Sequence, residues 1–120
     1  MDGNQLERIP EQIAGMSQLE QLHLSRNRIL RLPDALFLLD RLKVLNVGKN
    51  QLSFVPDSIQ WLKELAELGL SDNNITSLPY RFYRLENLQV LHLRNNSLGY
   101  LVKRISRLKR LKYLDMSGNR

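Results

Sequence analysis

Apolar residues occupy the same seven slots in four consecutive stretches of 23 residues. Between 19 and 41 they are Leu19, Leu22, Leu24, Ile29, Leu32, Leu36 and Leu39; between 42 and 64 they are Leu42, Leu45, Val47, Leu52, Val55, Ile59 and Leu62. The third stretch, 65 to 87, supplies Leu65, Leu68, Leu70, Ile75, Leu78, Phe82 and Leu85, and the fourth, 88 to 110, Leu88, Leu91, Leu93, Leu98, Leu101, Ile105 and Leu108. Within a stretch the spacing changes. Leu22-His23-Leu24 alternates with period two, as a short strand with one buried face does. From Leu32 the steps of four and three to Leu36 and Leu39 predict a short helical or 3-10 turn. Each stretch therefore reads as a strand, a turn and a helical return. A strand that rejoins its own sheet through such a crossover pairs in parallel, and the crossover is right-handed.

One polar position keeps the same register. Asn4, Asn27, Asn50, Asn73, Asn96 and Asn119 are spaced 23 apart without a slip. Each stands beside an apolar column, so its amide is expected to be buried and shared between neighbouring units. A buried amide without partners would cost about 1–3 kcal/mol per group. All four prolines, Pro10, Pro33, Pro56 and Pro79, follow the fifth apolar slot. There, in the first turn of the return, proline loses no needed N–H. Val102 replaces it in the fourth unit, which predicts a slightly different start for that return.

The pattern LxxLxLxxNxIxxLPxxLxxLxx, read from Leu19 to Arg41, resembles the leucine-rich repeat family. Its length and Leu-Pro pair resemble the cytosolic subgroup of Ras-pathway scaffolds, Scribble and Erbin type polarity proteins, plant intracellular Ras-group proteins and bacterial members. The resemblance implies an α/β solenoid: a right-handed, curved horseshoe segment with a parallel sheet on its concave face and short helical or 3-10 returns on its convex face. It also implies non-catalytic protein binding, as a scaffold or adaptor, without cofactors. Residues 1–120 form one domain, with partial repeats at 1–18 and 111–120 around the complete repeats 19–41, 42–64, 65–87 and 88–110. Solenoids normally end in polar caps. Neither end here shows one, so a segment of a longer array is expected, the alternative being end-to-end self-association.

Composition changes this picture little. The chain holds no cysteine, so disulfides, thiolate metal sites and a cysteine nucleophile are excluded and a cytoplasmic setting is expected. No run of about 18 apolar residues could span a bilayer, and 1 to 10 lack the basic and apolar succession of a secretory signal. The sequons at Asn74 and Asn95 then read as coincidental. Charge matters more. The net charge of +6 lies wholly in the second half, where Lys103, Arg104, Arg107, Lys109, Arg110 and Lys112 cluster without an acid.

Alternation places the residues beside the strand leucines on the outward, concave surface. Those between them are His23, Asn46, Gly69, His92 and Asp115, preceded by Gln21, Val44, Glu67, Val90 and Tyr113 and followed by Ser25, Gly48, Ser71, Arg94 and Ser117. This face varies from unit to unit over a constant core, which fits a surface shaped for a partner, although exposed positions also vary when nothing constrains them. Val44, Val90 and Tyr113 are the candidate apolar anchors. Arg26, Lys49, Arg94, Glu67 and Asp115 would supply charge complementarity. His23 and His92 are three strands apart, roughly 14 Å, so they cannot share a metal ion. His92 and Asp115 are lateral neighbours expected to form a surface pair, with Ser117 on the same face. An open sheet offers a Ser/His/Asp set neither enclosure nor an oxyanion hole, so no catalysis is expected. The basic cluster on the return segment of the fourth unit admits a second partner class, nucleic acid or an acidic membrane. No Gly-rich or aromatic nucleic-acid module accompanies it, and a solvated face is preferred. Phe37, Leu38 and Trp61 are apolar beyond what the core pattern requires, and are expected to cover the convex core.

Overall fold

The period-two alternation becomes five three-residue strands in the computed structural model, which describes residues 2–99 and 103–119. They are β1 (Gln21–His23), β2 (Val44–Asn46), β3 (Glu67–Gly69), β4 (Val90–His92) and β5 (Tyr113–Asp115). The strands form one parallel sheet in chain order. Register follows the repeat: Leu22, Leu45, Leu68, Leu91 and Leu114 lie side by side, flanked by the row from Gln21 to Tyr113 and the row from His23 to Asp115. A crossover every 23 residues leaves each strand beside its sequence neighbour, and the whole is a solenoid with the sheet on the concave side.

The returns are 3-10 helices, the tighter of the two expected forms: η1 (Glu11–Gly15), η2 (Asp34–Leu38), η3 (Asp57–Trp61), η4 (Tyr80–Arg84) and η5 (Lys103–Arg107). Five residues suffice for one such turn, and longer runs of this poorer bonding geometry are uncommon. Each proline sits one step earlier than expected, as the residue before the turn. Pro33, for example, is extended (φ −76°, ψ 155°), and its carbonyl accepts the N–H of Leu36 at 3.1 Å. Its fixed φ suits that position, and no N–H is required there. Val102 and the core slot Leu101 lie outside the described residues, as does the side chain of Lys103.

The remaining slots form one continuous core. Leu19, Leu78 and Ile105 are half-buried and the others are buried. Phe37 is buried among them and covers the convex core as expected. Leu38 and Trp61 are not cover: they stay 60% and 48% exposed.

The asparagine column is a one-directional ladder. Asn73 Oδ1 accepts the N–H of Leu52 in the preceding unit at 2.9 Å, while Nδ2 donates to Val47 of that unit and to Leu70 and Ser71 of its own. Asn50 and Asn96 repeat this set one unit to either side. Asn27, Asn50, Asn73 and Asn96 are buried as expected. Asn119 makes the same backward bonds, to Leu98 and Leu93, but is half-buried. Asn4 corrects the expectation of six buried amides: it is exposed, and among the described residues no unit packs outside it.

Immediately before each ladder asparagine the backbone turns left-handed. Gly3, Arg26, Lys49, Asp72, Asn95 and Gly118 all have φ between 54° and 74°. From that conformation the N–H groups of Gly3, Arg26, Lys49, Asp72 and Asn95 donate to the next unit, as Lys49 does to Ser71 O at 2.8 Å and Asp72 to Arg94 O at 2.8 Å. Glycine, aspartate and asparagine tolerate this region. Arg26 and Lys49 do so at a cost of about 1–2 kcal/mol each.

Candidate functional site

Because β1 to β5 are in register, the outward side chains form two lateral rows. Along one run Gln21, Val44, Glu67, Val90 and Tyr113. Val44, Glu67 and Val90 are half-buried, while Gln21 and Tyr113 at the sides are exposed. Along the other row His23, at the N-terminal side, is exposed and contacts its strand neighbour, Nε2 lying 3.4 Å from Gln21 Oε1.

At the centre this face is recessed. Gly48 and Gly69 present no side chain, and the Asn46 amide lies across the floor. Its Oδ1 accepts the Gly48 N–H at 3.0 Å and occupies the space a Cβ on Gly69 would approach to 2.8 Å. The recess, about 310 Å³, carries Arg26 and Lys49 from the first two units and Glu67 and Asp72 from the third. Two cations and two carboxylates thus meet around one hollow. Of the sequence candidates, Arg26, Asn46, Lys49, Glu67 and His92 converge here; Gln21, His23, Val44, Val90, Arg94, Tyr113 and Asp115 lie outside its lining. Gly69, in the row of His23 and Asn46, and Gly48, in the row of Ser25 and Ser71, were the sequence signal for it, since a missing side chain on an outward face marks a place of close approach.

The expected His92–Asp115 pair does not form, although the two are register partners. His92 turns the other way, with Nε2 3.5 Å from Glu67 Oε2, and its ring lies 5.4 Å from that of Tyr113. Asp115 instead accepts the Ser117 hydroxyl at 2.7 Å and the Ser117 N–H at 3.0 Å. These bonds, the hydroxyl's foremost, hold its carboxyl below the ordinary value of 3.8. Both bonds fall on Asp115 Oδ1 and tie that oxygen to its own turn. Glu67, His92 and Tyr113 therefore form an ordered column across β3, β4 and β5. Ser71 is also engaged, its hydroxyl accepting the Arg94 N–H at 3.1 Å.

On the convex side the basic cluster divides. Arg104 caps the ring of Tyr80, its guanidinium carbon 4.4 Å from the centroid. Arg107, Lys109 and Arg110 line a cleft of about 320 Å³ between the fourth and fifth returns, together with Tyr83, Glu86 and Asn87. Lys112 lies just before β5 and lines neither hollow. Asn87 bridges units: Nδ2 donates to Lys63 O at 2.7 Å and Oδ1 accepts from Arg110 Nη1 at 2.6 Å. Tyr83 is 94% buried on the 6% exposure of its surface, and its hydroxyl has no hydrogen-bond partner among the described residues. Such an orphan costs about 1–3 kcal/mol. Burial raises the phenol above its usual 10.0, against a smaller opposing effect of Arg104. Tyr83 occupies the slot two units on from Phe37, a correspondence visible in the sequence, but its hydroxyl is the difference.

Comparison with known proteins agrees with this architecture. A family model described as leucine rich repeat matches residues 17–75 and 63–120. No curated protein matches the chain. Among solved structures, a leucine-rich repeat protein of Leptospira interrogans superposes with a TM-score of 0.92 at 36% identity, over 97% of this chain and 30% of that one. An internalin, InlF, from Listeria monocytogenes superposes with a TM-score of 0.85 at 30% identity, over 97% of this chain and 33% of that one. This chain thus spans about a third of the length of either neighbour.

Proposed function

The chain belongs to the leucine-rich repeat family, and on that premise we propose that it captures a partner protein on the concave face of its sheet, as a scaffold or adaptor. The family is in general a non-enzymatic protein-interaction module. The observation that carries the finer reading is the recess over Gly48 and Gly69, with Arg26 and Lys49 facing Glu67 and Asp72. A hollow admits one partner side chain deeply, and opposed charges around it set that side chain's orientation and reject mismatched partners. Beside it the half-buried Val44 and Val90 offer apolar contact, and Tyr113, fixed against His92, offers a rigid aromatic edge. A cytoplasmic setting belongs to the same proposal and is supported by the cysteine-free sequence.

The test is a partner isolated on the immobilised chain, with its affinity then measured against variants by titration calorimetry. Val44→Glu places a second carboxylate directly opposite Glu67 in the ladder, and Tyr113→Ala removes the aromatic edge. Both are expected to weaken capture at least about tenfold, the loss of one interface anchor of about 1.4 kcal/mol or more, while urea unfolding changes little. Affinity unaltered in both variants would remove the concave face from the interaction.

A further inference from the structure

We propose that the convex cleft between the fourth and fifth returns binds a phosphate monoester. The cleft is distinct from the concave face and shares no lining residue with the recess there. Charge is the first support. Arg107, Lys109 and Arg110 line it against the single carboxylate of Glu86, which leaves two positive charges uncompensated locally. A phosphate monoester carries about −1.5 to −2 at pH 7, so one such group balances the site. A carboxylate would leave a cation over.

Donor geometry is the second support. Two of the three cations are arginines, whose planar guanidinium presents five N–H groups in a fork that matches phosphate oxygens. One arginine is already positioned. Asn87 accepts from Arg110 Nη1 at 2.6 Å while tied through Nδ2 to the Lys63 carbonyl, so the guanidinium is held with its other N–H groups available. Asn87 spends both its functions in this and acts as a positioning residue.

Tyr83 is the third and independent support. Its side chain lines the cleft, nine-tenths buried, with a hydroxyl that no described residue satisfies. A buried polar group left without a partner in a native fold calls for an explanation, an unseen ligand among them. The phenol stays protonated, because burial disfavours its ionised form, and a protonated phenol can donate to an anion. Phe37, in the equivalent slot, fills its place without a hydroxyl, so packing alone does not require one at 83. Nucleic acid is disfavoured by the shape: the three cations gather around one hollow of about 320 Å³, where a backbone-tracking surface needs a line of them.

The experiment titrates O-phosphoserine, inorganic phosphate and, as a monoanionic control, acetate into the chain at constant ionic strength, read by amide NMR shifts and by thermal unfolding. Saturable shifts are expected for residues 83–87 and 107–110 with the two phosphates and not with acetate. The double variant Arg107→Gln/Arg110→Gln should raise the phosphoserine Kd at least about tenfold and Tyr83→Phe about three- to tenfold, with Arg81→Gln, a cation outside the cleft, unchanged. Tyr83→Phe also guards against misfolding: without phosphate its Tm should equal or exceed the parent's, because the orphan hydroxyl is gone, yet the rise that phosphate gives should shrink. Vesicles of phosphatidylcholine with phosphatidic acid, against matched vesicles with phosphatidylglycerol, separate the sources. Preference for the phosphatidic acid vesicles assigns the site to a lipid headgroup, and equal response to both with retained phosphoserine binding assigns it to a soluble ligand. Linear shifts, an equal effect of acetate, or full affinity in Tyr83→Phe and the double variant would overturn the proposal.

Discussion

Replacing Asn73 by alanine tests whether the ladder holds units together from one side only. The substitution removes the acceptor of the buried Leu52 N–H and the donors to Val47 O, Leu70 O and Ser71 O. Nδ2 has two hydrogens for three carbonyls, so about three bonds are lost in effect. At about 1 kcal/mol net for each, and with the Leu52 N–H stranded away from water, the loss comes to about 3–5 kcal/mol. Asn119 makes the matching set of bonds to Leu98, Leu93, Met116 and Ser117 but is half-buried. Water can replace much of what its removal leaves open, and the expected loss is about 1–2 kcal/mol. Urea unfolding of both variants measures the difference, and amide exchange locates it: Leu52 in the earlier unit should lose protection first when Asn73 is removed. The directionality argument fails if Asn119→Ala destabilises as much as Asn73→Ala. It also fails if the exchange loss appears in the following unit, around Leu98, whose own N–H is served by Asn119.

Lys49→Gly should stabilise by about 0.5–1 kcal/mol, because relief of the left-handed strain exceeds the extra chain entropy of glycine. Asp72→Gly should gain less, since Asp72 also accepts from Asn95 Nδ2 at 2.9 Å; thermal melts of the pair compare them. Phe37→Ala should lose about 3–5 kcal/mol as a buried aromatic, whereas Trp61→Ala, half exposed, should stay within about 1 kcal/mol; denaturant midpoints report both. The carboxyls of Asp2 and Asp115 are depressed chiefly by the hydroxyls of Ser25 and Ser117. A depressed folded-state value means that their contribution to stability is present above the ordinary 3.8 and is lost as pH falls below it. NMR titration should find both below 3.8, and Ser117→Ala should move Asp115 upward alone.

The sequence by itself determined the repeat, the identity of the core and the parallel order of the strands, because these depend on spacing that every unit restates. A leucine in a seven-slot pattern has one buried direction, and a crossover of constant length leaves each strand only one neighbour to join. The asparagine column was legible for the same reason, except in the end units, where Asn4 is exposed and Asn119 half-buried. What the tertiary structure decided lies between units and off the core. Register made His92 and Asp115 neighbours, yet His92 turned toward Glu67, because Asp115 finds nearer donors in Ser117. Arg26 and Lys49 gave no sign of left-handed backbone, since the requirement comes from lateral N–H bonds to the next unit and not from the side chains. The charge run from 103 to 112 looked uniform, but packing set Arg104 on Tyr80 and gathered Arg107, Lys109 and Arg110 around Tyr83 of the preceding return. Alternation says which face a side chain leaves from. Which rotamer it takes, and what it meets some twenty residues away in the next unit, is decided only when the units stack.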